Sequence, residues 1–335
     1  MYMRKTILFA FAAIALVAKG ADKATVASPG GNLIVSIDVE QGKPRYQVEC
    51  QGKVLVTPSP IGFVADIGDF SQNLRLEGTR NTKVEKNYAL AQAKASDIYF
   101  NANQLDLDFI NAEGGKMTVS FVVSNNDVAF RYTISRQKND NPKCAVILRE
   151  ESAFNFPAYT TTFLCPQIGP FTGWERTKPS YEEEYTADAP MTQKSQFGLG
   201  YTFPCLFRVG NDGWVLVSET GVGSNYCASR LADYEPGNGY TIAFPEQGEF
   251  NGIGSVFPGI PLPGSTPWRT LTLGTSLKPI VETTIPFDLV EPQYQPTTPF
   301  APGRYTWSWL IGQDNSINYD DQVRFIDLAG AMGFE

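Results

Sequence analysis

The chain has 335 residues, 42% of them hydrophobic, and a formal charge of −8 from 27 basic and 35 acidic side chains, with no histidine. Without imidazole there is no Ser-His-Asp or Cys-His catalysis and no histidine-held zinc or iron, so carboxylates, lysine, tyrosine and cysteine must carry any chemistry. The negative field also argues against nucleic-acid phosphate or an anionic membrane surface as partner.

At the amino terminus, basic Arg4 and Lys5 precede an unbroken apolar run from Ile7 to Val17, and Ala18-Lys19-Gly20 stands before Ala21. This is the pattern of a cleavable signal peptide over 1–20, too short to anchor the chain across a bilayer, and it predicts a secreted or periplasmic product. The five cysteines, Cys50, Cys144, Cys165, Cys205 and Cys227, are odd in number and widely spaced. None forms the two-residue-gap pair of a zinc or redox motif, which leaves idle thiols or one or two bridges as the alternatives.

From Ala21 to Glu291 the dominant hydrophobic period is two. Leu33, Val35, Ile37 and Val39 alternate with other residues, and so do Met117, Val119, Phe121 and Val123. The second run meets Asn125-Asn126-Asp127 and continues through Val128, Phe130, Tyr132 and Ile134, the pattern of a hairpin. Trp214, Leu216 and Ser218 begin another alternation after Asn211-Asp212-Gly213. Many strands separated by Gly, Pro, Asn and Asp, with no long helical pattern, predict an all-β fold, a large antiparallel sandwich over 21–291.

The composition then changes. Pro292, Pro296, Pro299 and Pro302 mark a stiff linker over 292–303. Arg304 to Leu310, with Tyr305, Trp307 and Trp309, reads as a short aromatic strand. Asn318 to Met332 reads as a helix, with Phe325, Leu328, Ala329 and Met332 on one face and Gly333 as its stop. A strand followed by a helix opens a parallel α/β domain, so 304–335 is expected to be the start of a truncated domain of that kind.

Several segments carry a resemblance. Ser28-Pro29-Gly30-Gly31-Asn32, Gly52-Lys53, Ser59-Pro60-Ile61-Gly62-Phe63 and Val128-Ala129-Phe130-Arg131-Tyr132 resemble the amino-terminal domain of glycoside hydrolase family 97. Tyr181-Glu182-Glu183-Glu184-Tyr185, Ser218-Glu219 before Tyr226, Pro267-Trp268-Arg269 and Trp307-Ser308-Trp309 keep the family's order, and Asn318-Tyr319-Asp320-Asp321-Gln322 resembles the first unit of its barrel. The resemblance implies a galactose-mutarotase-like β-supersandwich, a (β/α)8 catalytic barrel and hydrolysis of α-linked glucosides or galactosides with calcium. The family's catalytic carboxylates come from later barrel strands, so none is assigned here and the chain is expected to be inactive alone.

The Glu182-Glu183-Glu184 run reads by itself as a solvated acidic face or as hard-cation ligands. The resemblance makes Glu182 the calcium ligand that reaches toward the barrel, with Glu184 as the alternative. It likewise makes Tyr201, Thr202 and Phe203 a sugar-contacting segment, where period alone reads Tyr201 and Phe203 as core. Trp174, Trp307 and Trp309 read as buried sheet residues or as platforms for a pyranose. Thr220 departs from the family's usual Glu-Ala pair, which removes the support for a role of Glu219. Two functions follow: the amino-terminal portion of a calcium-dependent α-glycosidase acting on an α-linked oligosaccharide or glycoside, or a non-catalytic carbohydrate-binding β-sandwich. A mutarotase-like epimerase is disfavoured because its acid is a histidine.

Overall fold

In the computed structural model the described residues are 23–90, 95–136, 143–169, 183–294, 297–298 and 303–334. The expected leader, Trp174 and Glu182 lie outside them. The chain divides into two compact units, Met1–Glu291 and Pro292–Glu335.

The first unit is an antiparallel β-sandwich. One sheet is a four-strand meander, Lys23–Ala27, Leu33–Glu40, Lys43–Cys50 and Lys53–Pro60. Two of its turns are two-residue loops, Gln41-Gly42 and Gln51-Gly52, with positive φ at both positions, the mirror-image turn that matches strand twist. The larger sheet runs from Arg75–Ala89 through Asp97–Ile110, Lys116–Val123, Asp127–Ile134, Trp268–Gly274 and Gly213–Thr220 to Tyr201–Val209. Beyond that it continues into Arg230–Leu231, Tyr240–Ala243 and Ala153–Phe154. A small third sheet joins Gly259–Pro261, Cys144–Glu150, Phe63–Ala65 and Gly68–Asp69. The hairpin read around Asn125-Asn126 is present, with Val123 opposite Val128 and Met117 opposite Ile134.

The alternation places Leu33, Val35, Ile37, Tyr46 and Val48 of the meander against Leu105, Leu107, Phe121 and Phe130 of the large sheet in one core. Tyr46 bridges the layers, its ring centroid 5.8 Å from that of Phe121 and 5.3 Å from that of Phe130. Burying side chains of this size contributes roughly 1.5–3 kcal/mol each, so the inward-facing half of every strand dictates the layering.

In one region the period of two fails because both faces are covered. Val122 and Ala129, a cross-strand pair facing away from the main core, pack with Phe100, Ala102, Trp268 and Ile285. The cover comes from the short helix Ile285–Leu289 and Val290 after it; a second short helix, Lys278–Glu282, precedes it. Polar bonds fasten the cover. Asp127 is buried and accepts from Thr272 (2.6 Å), Thr283 (2.8 Å) and Ser124 (3.1 Å). Asp288 is also buried and accepts from Tyr88 (2.7 Å) and Thr284 (3.0 Å). Burial and the neighbouring Asp288 charge outweigh the hydroxyl donors and push Asp127 up to about 6; burial also raises Asp288.

The second unit corrects one expectation. The segment from Arg304 to Leu310 is not a strand: residues 303–307 join no ladder, and Trp309–Gly312 is a short helix. A strand exists only through hydrogen bonds to a neighbour, and no described residue of this unit supplies one. Trp307 and Trp309 stack on each other instead, with centroids 6.0 Å apart. The expected helix is there as Tyr319–Met332. Its cap, Asn318, accepts from the Asp321 N–H, and Gly333 ends it in the left-handed conformation. Among the described residues no helix is long and apolar enough to cross a membrane.

Candidate functional site

The candidate rim is built where four segments meet at one end of the large sheet. Strand Thr160–Pro166 pairs with Tyr201–Val209, which places Cys165 opposite Thr202 and Pro166 opposite Tyr201. On the other side of the same ends, Tyr201 faces Leu231 and Thr202 faces Arg230. Along Thr160–Pro166 runs the segment after the acidic triplet: the Thr186 N–H donates to the Leu164 carbonyl at 2.8 Å, and the Thr186 hydroxyl accepts from the Leu164 N–H at 2.8 Å. Tyr185 lies near Cys165 and Cys205, and its pKa is raised, by burial first and then by those two thiols. The segment that begins at Glu183 and the Tyr201 trio therefore border the same strand, Thr160–Pro166.

The trio divides by burial. Tyr201 is 1% exposed and donates its hydroxyl to the Gln193 carbonyl at 3.1 Å, so its ring belongs to the core. Thr202 and Phe203 are half-buried and reach the surface. Glu184 is exposed. Among the described residues no three acidic or sulfur side chains converge as a metal group. All five cysteines are free thiols, with Cys50, Cys165 and Cys205 buried.

Beneath the rim lies a buried charge hub. Strand Trp268–Gly274 is buried along its whole length, yet its second residue is arginine. Arg269 is 1% exposed; its Nε donates to Glu150 Oε1 at 2.9 Å and its Nη2 to Glu150 Oε2, a bidentate pair. Its Nη1 donates to Glu219, the residue directly opposite in the ladder, and to the Ser229 hydroxyl at 2.8 Å. Ser229 in turn donates to Glu219 through its N–H (2.8 Å) and hydroxyl (2.6 Å). Glu150 receives further bonds from Ser152 (2.7 Å) and Tyr226 (3.3 Å). Because the Ser152 hydrogen is committed to Glu150, Tyr132 donates to Ser152 at 2.6 Å while accepting from the Gly62 N–H at 2.8 Å.

The hub shapes the rim. Ser229 immediately precedes Arg230, the partner of Thr202, so Glu219 and Arg269 fasten the Gly221–Ser229 loop beside the half-buried Thr202 and Phe203. Arg230 fastens the other side, with Nε on the Leu199 carbonyl at 2.8 Å and its other nitrogens on the Phe244 carbonyl and Glu246. Cys227, in the same loop, is pushed up to about 12 by burial and the Glu219 charge, so it is no nucleophile at neutral pH. Sequence reading missed the hub's function. The one available signal was a lone arginine in an otherwise uncharged strand, and nothing local pairs it with Glu150, 119 residues away.

The family model for the glycosyl-hydrolase 97 N-terminal domain matches residues 26–292. The probable retaining α-galactosidase of Streptomyces bingchenggensis is 25% identical over 316 residues, 92% of this chain and 45% of its own length. The retaining α-galactosidase of Bacteroides thetaiotaomicron is 25% identical over 336 residues, 93% of this chain and 49% of its own. Among solved structures, a β-arabinopyranosidase is 53% identical with a TM-score of 0.86, over 93% of this chain and 50% of that one. A family 97 enzyme from Pseudoalteromonas sp. strain K8, in complex with panose, matches at 20% identity and a TM-score of 0.75, over 93% of this chain and 46% of that one. This chain thus spans about half the length of the curated relatives it matches.

Proposed function

The chain belongs to glycosyl hydrolase family 97, whose amino-terminal domain it carries, and on that premise we propose that it is the non-catalytic sandwich portion of a secreted, calcium-dependent glycosidase acting on galactose-configured glycosides. The observation that carries the substrate class is the 53% identity to a β-arabinopyranosidase, with α-galactosidases as the curated relatives. In the L series a β-arabinopyranoside has the ring configuration of an α-D-galactoside and lacks only the hydroxymethyl group, so one subsite geometry serves both. The acid and the base or nucleophile of glycoside hydrolysis are two carboxylates, and this reading places them in the half of the relatives' length that the chain does not span.

The rim's share is binding. Thr202 offers a hydroxyl and Phe203 an aromatic edge to a sugar ring, held by the hub and by Arg230. Calcium takes six to eight oxygens, and exposed Glu184 fits as one donor only; Glu182 is the other candidate. When bound, the ion polarises a sugar hydroxyl or the leaving oxygen. The segment 1–20 is read as a leader removed on export.

The test uses the purified chain with nitrophenyl β-L-arabinopyranoside, α-D-galactoside and α-D-glucoside. None should be hydrolysed, and calorimetric titration should find no micromolar calcium site. Turnover of any of the three would overturn the division of labour. A chain extended by the family's catalytic half should hydrolyse the first two in preference to the glucoside; a preference for glucoside would overturn the substrate class.

A further inference from the structure

The geometry points to a second ligand site, apart from the rim: a cationic groove that takes a pyranose bearing one anionic group, a carboxylate or a sulfate ester. The groove encloses about 250 Å³ where the ends of two meander strands meet the end of strand Cys144–Glu150. Five separate stretches of chain build it. Lys43 and Arg45 come from the start of one meander strand, Pro60 and Ile61 from the end of the next, Ser71 and Gln72 from a loop, Arg149 and Glu151 from the end of strand Cys144–Glu150, and Asn238 from a turn.

Charge selects the ligand. The lining holds three cations and one carboxylate, 3 − 1 = +2, in a chain whose total is −8. The single carboxylate, Glu151, is already paired with Arg149. The nearest other acids are engaged too: Asp69 accepts from the Ser71 N–H at 2.8 Å and from Gln72 at 2.8 Å, and Asp38, opposite Arg45, pairs with Lys23 at 2.9 Å. Glu40 stands opposite Lys43 at the hairpin end and is exposed. Arg45 therefore faces the groove with its guanidinium available for bidentate recognition of a planar or tetrahedral anion.

The remaining lining selects for a sugar over a bare ion. Pro44 and Ile61 make the lining partly apolar, while Asn238, the Gln72 amide oxygen and the Ser71 hydroxyl oxygen, whose hydrogen is given to Asp69, offer polar groups to ring hydroxyls. Backbone bonds set the walls in advance: Ile61 N–H to the Pro44 carbonyl (3.2 Å), Leu74 N–H to the Gly42 carbonyl (2.9 Å), and Glu151 N–H to the Gly62 carbonyl (2.8 Å). A site whose walls need no ordering loses little affinity to entropy. The two faces of one strand end thus serve different purposes: Glu150 points inward to Arg269, while Arg149 and Glu151 line the groove.

The experiment is calorimetry of the whole chain at low salt with D-galacturonate, galactose 6-sulfate, galactose and inorganic sulfate. Millimolar binding of one or both acidic sugars is expected, at least about tenfold tighter than galactose or inorganic sulfate; which acidic sugar binds tighter identifies the anion. Arg45→Ala should weaken binding about tenfold, and Glu151→Gln, which frees Arg149 and removes the one negative wall, should tighten it. Both positions are half-buried and lie outside the hydrophobic core, and a thermal melt checks that the fold is retained. Equal binding of galactose would overturn the charge argument. Inorganic sulfate bound as tightly as the sugars would overturn the sugar assignment, and absence of binding or an unchanged Arg45→Ala would overturn the site. None of these outcomes bears on hydrolysis at the rim, so the two readings fail separately.

Discussion

The sandwich buries carboxylates in two regions and treats them in opposite ways. At the hub, Glu150 and Glu219 close on one guanidinium, and four further donors help to satisfy the two carboxylates: the Ser152 and Tyr226 hydroxyls on Glu150, and the Ser229 N–H and hydroxyl on Glu219. Under the two short helices, Asp127 and Asp288 have only hydroxyl donors for hydrogen bonds, and both are raised. The lesson is that burial by itself does not set a buried carboxylate's surroundings: one pair of acids is tied to a cation, the other is left with hydroxyls alone. A cation turns two acids into a rigid joint between strands, whereas hydroxyls leave the acid strained toward its neutral form.

The largest effect tests the hub. Arg269→Met leaves the buried Glu150 and the half-buried Glu219 without their shared cation and should cost about 3–5 kcal/mol in urea unfolding. Adding Glu150→Gln should recover part of that loss, because the penalty is an uncompensated charge. If the double variant is no more stable than the single one, the joint is not electrostatic.

The next effect tests the hydroxyl-held acid. With a folded pKa of about 6 against an unfolded value of about 3.9, Asp127 binds more protons in the folded state. It therefore favours folding at low pH, and that contribution is lost as pH rises from about 4 to about 6, by at most roughly 3 kcal/mol. Asp127→Asn keeps the acceptor for Thr272 and Thr283 and should flatten stability across that window, with no loss at pH 7. A marked loss of stability at pH 7 would show that the charged form is needed.

The smallest effect comes from Asp106, an intermediate case on strand Asp97–Ile110. It is buried like Asp127, and burial tends to raise its pKa, but donors from Ser120 (2.7 Å), Gln104 (2.7 Å) and Arg80 (2.5 Å) outweigh burial and hold it below the usual range. The sign reverses: its contribution is present above the unfolded pKa and is lost as pH falls through the lower folded value. Asp106→Asn should cost about 1–2 kcal/mol near neutrality and little in acid. The same pH slope in both Asn variants would erase the distinction between charged and hydroxyl donors.

Legibility in the sequence followed the range of the interactions. Strands such as Leu33–Glu40, Lys116–Val123 and Gly213–Thr220 were readable because one face of each meets the core and a period of two records that directly. Helix Tyr319–Met332 was readable from its cap and stop, both local. The segment from Arg304 to Leu310 has a strand's composition but no ladder partner among the described residues, so its aromatics stacked and its end coiled. For the rim, Glu184 and the Tyr201 trio are separate in the sequence; strand Thr160–Pro166, bonded to Thr186 on one side and to Tyr201 and Thr202 on the other, brings their segments together.

The amino-acid sequence by itself determined the all-β class and the exclusion of imidazole chemistry, because composition and period are properties of neighbouring residues, and short motifs in a fixed order carried the resemblance to the family. Tertiary structure alone decided which charges are buried together. Arg269 finds Glu150 across 119 residues, Asp127 finds Thr272 across 145, and the walls of the cationic groove come from five stretches of chain. Electrostatic partners are chosen by distance in space and by exclusion of water, and neither is written along the chain.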